Sequence, residues 1–161
     1  MPVLEQVLPD RQDHEVRLRC GGEWFRITEA DFAVSEGAAL DEADMERLYA
    51  AQQRLDCIKK AFQFLSYGDL PAARLAEKLR RSFPKELAAE VCALFAERGY
   101  LDDAALAARY ADEFYTVRRW GPFRIRQALY TKGFAREDVA SATEALASAD
   151  HTENIRVLFA A

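Results

Sequence analysis

Between His14 and Thr28 the chain alternates. Val16, Leu18 and Cys20 are apolar at every second position, Gly21-Gly22 interrupts, and Glu23-Trp-Phe-Arg-Ile-Thr28 resumes the period. Two alternating runs around a glycine pair predict a β-hairpin, because glycine tolerates the positive φ of a tight turn. Two strands alone are marginal in water. The hairpin therefore calls for a third strand from Val3 to Leu8 or for a helix over one face. Residues 29–40 read as a loop or short helix ending near Gly37.

From Asp41 the pattern is helical. Asp41 is a good N-cap, with Glu42 in the first turn and Asp44 three residues on, where the helix dipole favours negative charge. A long helix is expected to run to about Tyr67 on Leu55, Ile58, Phe62 and Leu65, and to end at Gly68-Asp69. The pattern then repeats. Pro71, Leu75, Leu79 and Phe83 return as Pro122, Ile125, Leu129 and Phe134, each 50 or 51 residues later. Phe83-Pro-Lys-Glu86 leads into a helix with Leu87, Val91, Leu94 and Phe95. Phe134-Ala-Arg-Glu137 leads into one with Val139 and Leu146. A helix from about Asp103 to Arg119 precedes the second copy, and Asn154 to Phe159 restarts a helical pattern. Such units cannot bury their apolar faces alone, so neighbours stack.

The expected fold is mainly α: tandem three-helix repeats in an elongated curved array, preceded by a small N-terminal β-hairpin unit. The expected divisions are 1–40 for the β unit and 41–101 for a linker helix with repeat one. Repeat two would follow at 102–150, and 151–161 would start a truncated third repeat.

Composition adds that the chain, at 161 residues and half hydrophobic, needs no metal or disulfide staple. No apolar run approaches the roughly 20 residues of a membrane helix, and the start lacks the charged head and apolar core of a signal peptide. Cys20, Cys57 and Cys92 are odd in number and far apart, which reads as reduced thiols in a cytoplasmic protein. The net charge of −5 hides an asymmetry. Residues 1–53 carry net −7, residues 54–136 net +6 and residues 137–161 net −4. A basic middle between acidic ends suggests an anionic partner for the middle.

Candidate chemistry is sparse. Asp102-Asp103 reads as a helix start, with Asp102 as cap and Asp103 in the first-turn field. His14 and His151 have no ligand-spaced partner, and there is no phosphate loop or nucleophile elbow. No catalytic residue, metal or cofactor is expected. What stands out is Arg118 to Phe134, RRWGPFRIRQALYTKGF. Arg118 and Arg119 are expected in the last turn of their helix, Gly121 as a stop, Pro122 at the first position of the next helix and Trp120 as a plug in the corner. On that next helix Ile125, Ala128 and Leu129 form one stripe, flanked by Arg124 and Arg126 about 200° apart. Phe123, Arg126 and Tyr130 form a second face. It either packs against an adjacent unit or is exposed as a binding face. In the first repeat Arg74, Lys78 and Arg81 follow i, i+4, i+7. They form either a strip for phosphate or carboxylate or a solvated face in which Glu77 pairs with them.

Three elements together resemble the RecX family of bacterial regulators of the RecA recombinase. They are Gly99-Tyr-Leu-Asp-Asp103, Arg118-Arg-Trp-Gly-Pro-Phe-Arg-Ile-Arg-Gln-Ala-Leu129 and Lys132-Gly-Phe134. The resemblance covers about residues 55–147, and the β unit looks like the N-terminal extension of some members. It implies tandem three-helix repeats, no catalysis, and binding along the groove of the RecA–DNA filament. Lower ATP hydrolysis, strand exchange and repressor cleavage would follow. Members usually have three repeats, whereas this chain stops inside the third. Ser82-Phe83 replaces Lys132-Gly133, so the first helix–helix turn must be built differently. The expected partner is a RecA filament, with single- or double-stranded DNA a further one, and the protein is expected to act as a monomer. The expected contacts are Arg74, Lys78, Arg81, Arg118, Arg119, Arg126 and Lys132. The alternatives are a stand-alone nucleic-acid-binding helical module and a helical scaffold for another protein.

Overall fold

The computed structural model describes residues 2–10, 14–28 and 36–147. The expected third-repeat start and His151 lie outside the described residues, as does most of the loop expected at 29–40. The chain divides into two compact units, Met1–Gln63 and Phe64–Ala161.

The first unit holds a three-stranded antiparallel sheet in the order β1 (Leu4–Asp10), β2 (Glu15–Cys20), β3 (Glu23–Thr28). The hairpin forms as its alternation predicts. Cys20 pairs with Glu23, and Gly21 and Gly22 take φ of 59° and 79° between them, the twisted two-residue turn that matches strand twist. The open choice between a third strand and a covering helix resolves as both. β1 pairs with β2, and helix α1 (Glu42–Ser66) covers the inner face. Leu4, Val16, Leu18, Cys20, Phe25 and Ile27 meet Leu40, Leu48 and Ala51 in one core. The outer edge of β1 is closed by the returning chain, through Leu4 N–H to the Ala38 carbonyl and a bridge between Val3 and Ala39.

α1 starts on a reciprocal cap. Asp44 N–H donates to Asp41 Oδ1 at 2.8 Å and Asp41 N–H donates to Asp44 Oδ2 at 3.2 Å. Its expected stripe is only partly the buried one: Leu55 is buried, but Phe62 is 42% exposed, and Cys57 and Ala61 are buried instead. Among the described residues no helix is long and apolar enough to cross a membrane.

The second unit contains α2 (Ala72–Leu79), α3 (Lys85–Glu97), α4 (Asp103–Thr116), α5 (Pro122–Lys132) and α6 (Arg136–Ala147). α4, α5 and α6 enclose one core of Leu106, Ala107, Ala111, Phe114, Ile125, Leu129, Phe134, Val139, Ala142 and Leu146. α2 and α3 bury the matching residues Leu75, Leu79, Ala88, Val91 and Phe95. One pairing differs from the expected register. The N-cap of α2 is Pro71 and that of α5 is Gly121, 50 positions apart like Leu75 and Ile125. Pro122 therefore corresponds to Ala72, not to Pro71.

The two middle helices leave differently. α5 ends on Gly133 in the left-handed region, at φ 100°, with Phe134 N–H bonded to the Leu129 carbonyl. α2 ends on Arg80 in right-handed geometry, followed by a tight turn from Ser82 N–H to the Leu79 carbonyl. This is the different turn that Ser82-Phe83 requires, because neither residue offers the freedom of glycine. A Cβ at Gly133 would stand 3.2 Å from Nε of Arg74 and 3.4 Å from its Cγ. Gly133→Ala should therefore lower stability by about 1–2 kcal/mol, from left-handed strain alone before any displacement of Arg74. Urea unfolding measures it, and an unchanged midpoint would contradict the packing.

Candidate partner-binding face

Arg74 does not point to solvent alone. Its Nε donates to the Lys132 carbonyl at 3.1 Å and its Nη2 to the Thr131 carbonyl at 2.7 Å, while Nη1 donates to Glu77 Oε2 at 3.0 Å. The guanidinium thus sits at the C-terminal end of α5, where the last carbonyls lack helical partners and the dipole is negative. Lys78 Nζ lies 5.4 Å from the centre of the Phe64 ring. The expected single face of Arg74, Lys78 and Arg81 is not formed. α2 ends at Leu79, and Arg81 falls in the turn beyond it, its N–H bonded to the Lys78 carbonyl at 3.3 Å.

Arg118 and Arg119 are likewise outside the helix in which they were expected, because α4 ends at Thr116. The chain leaves through a wide turn: Arg118 N–H reaches the Glu113 carbonyl at 3.4 Å and Trp120 N–H the Phe114 carbonyl at 2.9 Å. Arg119 takes φ 60° to make this possible, a conformation that disfavours a side chain. Trp120 does plug the corner, stacked on Phe114 at 4.7 Å between ring centres. Two guanidinium groups approach its indole, Arg124 at 4.1 Å and Arg118 at 5.3 Å. Lys132 Nζ sits 4.3 Å from the centre of the Tyr110 ring.

The second face of α5 is exposed. Phe123 is 69% exposed, Tyr130 43%, and Arg126 is exposed with no hydrogen bond or ion pair among the described residues. At 100° per residue these three fall within about 60° of one another, centred about 110° round the helix from the buried Ile125 and Leu129. α5 carries no acidic residue. A face of this kind can anchor a protein or stack and neutralise a single strand.

Asp102 caps α4 as expected, its Oδ1 accepting from Ala105 N–H at 3.1 Å. Asp103 does something the sequence reading missed. Its two oxygens accept from Ala72 N–H at 3.0 and 3.2 Å, so a carboxylate at the start of α4 caps the start of α2. The available signal was the doublet itself: one aspartate suffices to cap a helix, which leaves the second spare. Burial pushes the Asp103 carboxyl above its ordinary pKa, against the bond from Ala72, which lowers it; Asp138 and Asp102 raise it further. The Cys92 thiol, 3.8 Å from the Ala72 carbonyl, is also pushed up, first by burial and then by Asp103. Cys20, Cys57 and Cys92 are each buried in a different element.

Near this joint Arg109 and Asp69 form an ion pair at 2.6 Å. It borders an open cleft of about 300 Å³ whose walls include Leu65, Leu70, Tyr100 and Leu101. Among the described residues its polar lining is Asp69, Tyr100, Asp102 and Arg109.

The family model for the second three-helix domain of RecX matches residues 102–142. Regulatory protein RecX of Clostridioides difficile is 24% identical over 127 residues, covering 79% of this chain and 60% of that protein. Regulatory protein RecX of Listeria innocua is 28% identical over 126 residues, covering 78% and 47%. The chain thus spans about half the length of the curated relatives it matches. A crystal structure of regulatory protein RecX shares the fold, with a TM-score of 0.82 over 98% of this chain and 80% of that one, at 21% identity.

Asp103→Ala should cost about 1 kcal/mol, the usual loss of a cap, whereas Asp103→Asn, which keeps an acceptor oxygen, should cost less. The pH dependence has a definite sign. With the folded pKa above the unfolded one, the folded state holds the extra proton, so stability falls as pH rises from the ordinary aspartate range through the raised value. Asp103→Asn should flatten that slope over the range just above the ordinary aspartate pKa. Urea midpoints across this range test it, and an identical slope in both proteins would refute it.

Proposed function

We propose that this chain is a regulator of the RecX type, like the relatives it resembles, and that it modulates a RecA recombinase in the cytoplasm by lying on the RecA–DNA filament. The mechanism is occupancy. A cationic, aromatic face held on rigid helices docks on acidic RecA surface or on DNA phosphates and hinders the protomer motions that accompany ATP turnover. One observation carries this reading: the exposed, acid-free face of Phe123, Arg126 and Tyr130 on α5. Aromatic and arginine anchors are the side chains that dominate binding energy at interfaces.

In this proposal Arg126, Arg118, Arg119, Arg81 and Lys78 make the contacts. Arg74 and Lys132 act mainly by fixing α5 against α2, since their polar groups already meet inside the protein. Glu77, bonded to Arg74, belongs to the same joint. A stand-alone nucleic-acid module built on α5 remains distinguishable, because changing Arg126 and Tyr130 would then weaken binding to naked DNA and not only the effect on RecA.

Added to RecA on single-stranded DNA, the protein should lower ATPase activity well below one copy per RecA. The double variant Arg126→Glu with Tyr130→Ala removes two exposed side chains and should need at least about tenfold more protein for the same effect. No inhibition by the unaltered protein at equimolar ratio would defeat the proposal.

A further inference from the structure

The N-terminal unit is the acidic part of the chain, yet its sheet turns a cationic face outward. On β2 the inner positions Val16, Leu18 and Cys20 are buried, so Glu15, Arg17 and Arg19 project from the other side. Register extends that row across the sheet. Arg17 lies between Leu8 on β1 and Arg26 on β3, and Arg19 between Gln6 and Trp24. Arg17, Arg19, Arg26, Trp24 and Leu8 are all exposed, Trp24 to 48%.

Two facts separate this face from an ordinary solvated surface. First, Arg17 and Arg26 are directly opposite, and like charges in that position destabilise a sheet. Arg17 has no ion pair among the described residues, while Arg26 reaches Glu15 only at 3.7 Å, and Glu15 is held at 2.8 Å by Lys59. Second, the Arg19 guanidinium lies 5.9 Å from the centre of the half-exposed Trp24 ring, while also pairing with Glu5 at 3.1 Å. Exposed pairs of this kind contribute little and exchange readily. Among the described side chains of this face, Arg17, Arg19 and Arg26 are set against Glu5 and Glu15, with Glu15 already held by Lys59 of α1. Asp10 stands opposite Glu15 at the far end of the row, and around Arg17, Arg19 and Arg26 a cationic excess is left.

We infer that the outer face of the sheet binds a single-stranded nucleic acid, with Arg17, Arg19 and Arg26 on successive phosphates and Trp24 under a base. The backbone positions of these arginines are about 7 Å apart along β2 and about 5 Å apart across strands, steps that an extended sugar–phosphate chain can follow. An indole with one face open is the platform on which bases stack without regard to sequence. This site is separate from the α5 face and does not depend on the filament reading.

The test uses the full chain and a fluorescein-labelled oligothymidylate, without RecA, followed by anisotropy at several salt concentrations. The variant with Arg17, Arg19 and Arg26 all changed to Ala should bind at least about tenfold more weakly, and its plot of log affinity against log salt should be shallower by about 2. Changing the three to Lys keeps the charges and should retain most of the affinity, which separates lost contacts from lost folding. Trp24→Ala should cost about tenfold. Unchanged binding by the alanine variant, or no binding by the unaltered protein, would overturn the inference. So would a polyglutamate of equal length competing as well as the oligonucleotide, since the face would then serve an acidic protein. Running the RecA ATPase assay on the alanine variant keeps the two readings apart: inhibition there can persist or fail independently of strand binding.

Discussion

The two helical repeats are joined by an exchange of helix ends. Asp103, at the start of α4, closes the exposed N–H of Ala72 at the start of α2. Arg74, one turn into α2, closes the exposed carbonyls of Thr131 and Lys132 at the end of α5. Each charge meets a helix terminus of opposite sign, where the dipole and the unpaired backbone groups favour it. Neither bond is large alone. Together they fix α2 against the start of α4 and the end of α5, and so fix where the outward face of α5 stands. Gly133 is part of the same constraint, because its missing side chain is the space through which Arg74 passes.

Local features were legible in the sequence. The Gly21-Gly22 hairpin, the Asp41 and Asp102 caps, the Trp120 corner and the paired apolar helices all follow from period and capping, which act over a few residues. The helical content, the preceding β unit and the family resemblance stand. What could not be read depends on partners distant along the chain. Asp103 meets a donor 31 positions earlier and Arg74 an acceptor 58 positions later. Arg81, Arg118 and Arg119 were misplaced because helical spacing was carried past the actual helix ends, Leu79 and Thr116. The actual ends were set by backbone bonds that no side-chain pattern announces.

Charge makes the same point. A tally along the chain assigns the cations to the middle and leaves the N-terminal unit acidic. Folding redistributes them: strand alternation sends Arg17 and Arg19 to one side of the sheet, while the buried side holds the core. A segment with net negative charge can therefore present a positive surface. Segment sums describe solubility and long-range attraction, but an individual face is set by register.

The correspondence of Pro122 with Ala72 sets the two helix pairs apart. Ala72 donates its N–H to the Asp103 carboxylate, whereas Pro122 presents a ring carbon in the same place. A bond of that form has no counterpart at the start of α5, so the seam between α2 and α4 is not a repeated element of the fold.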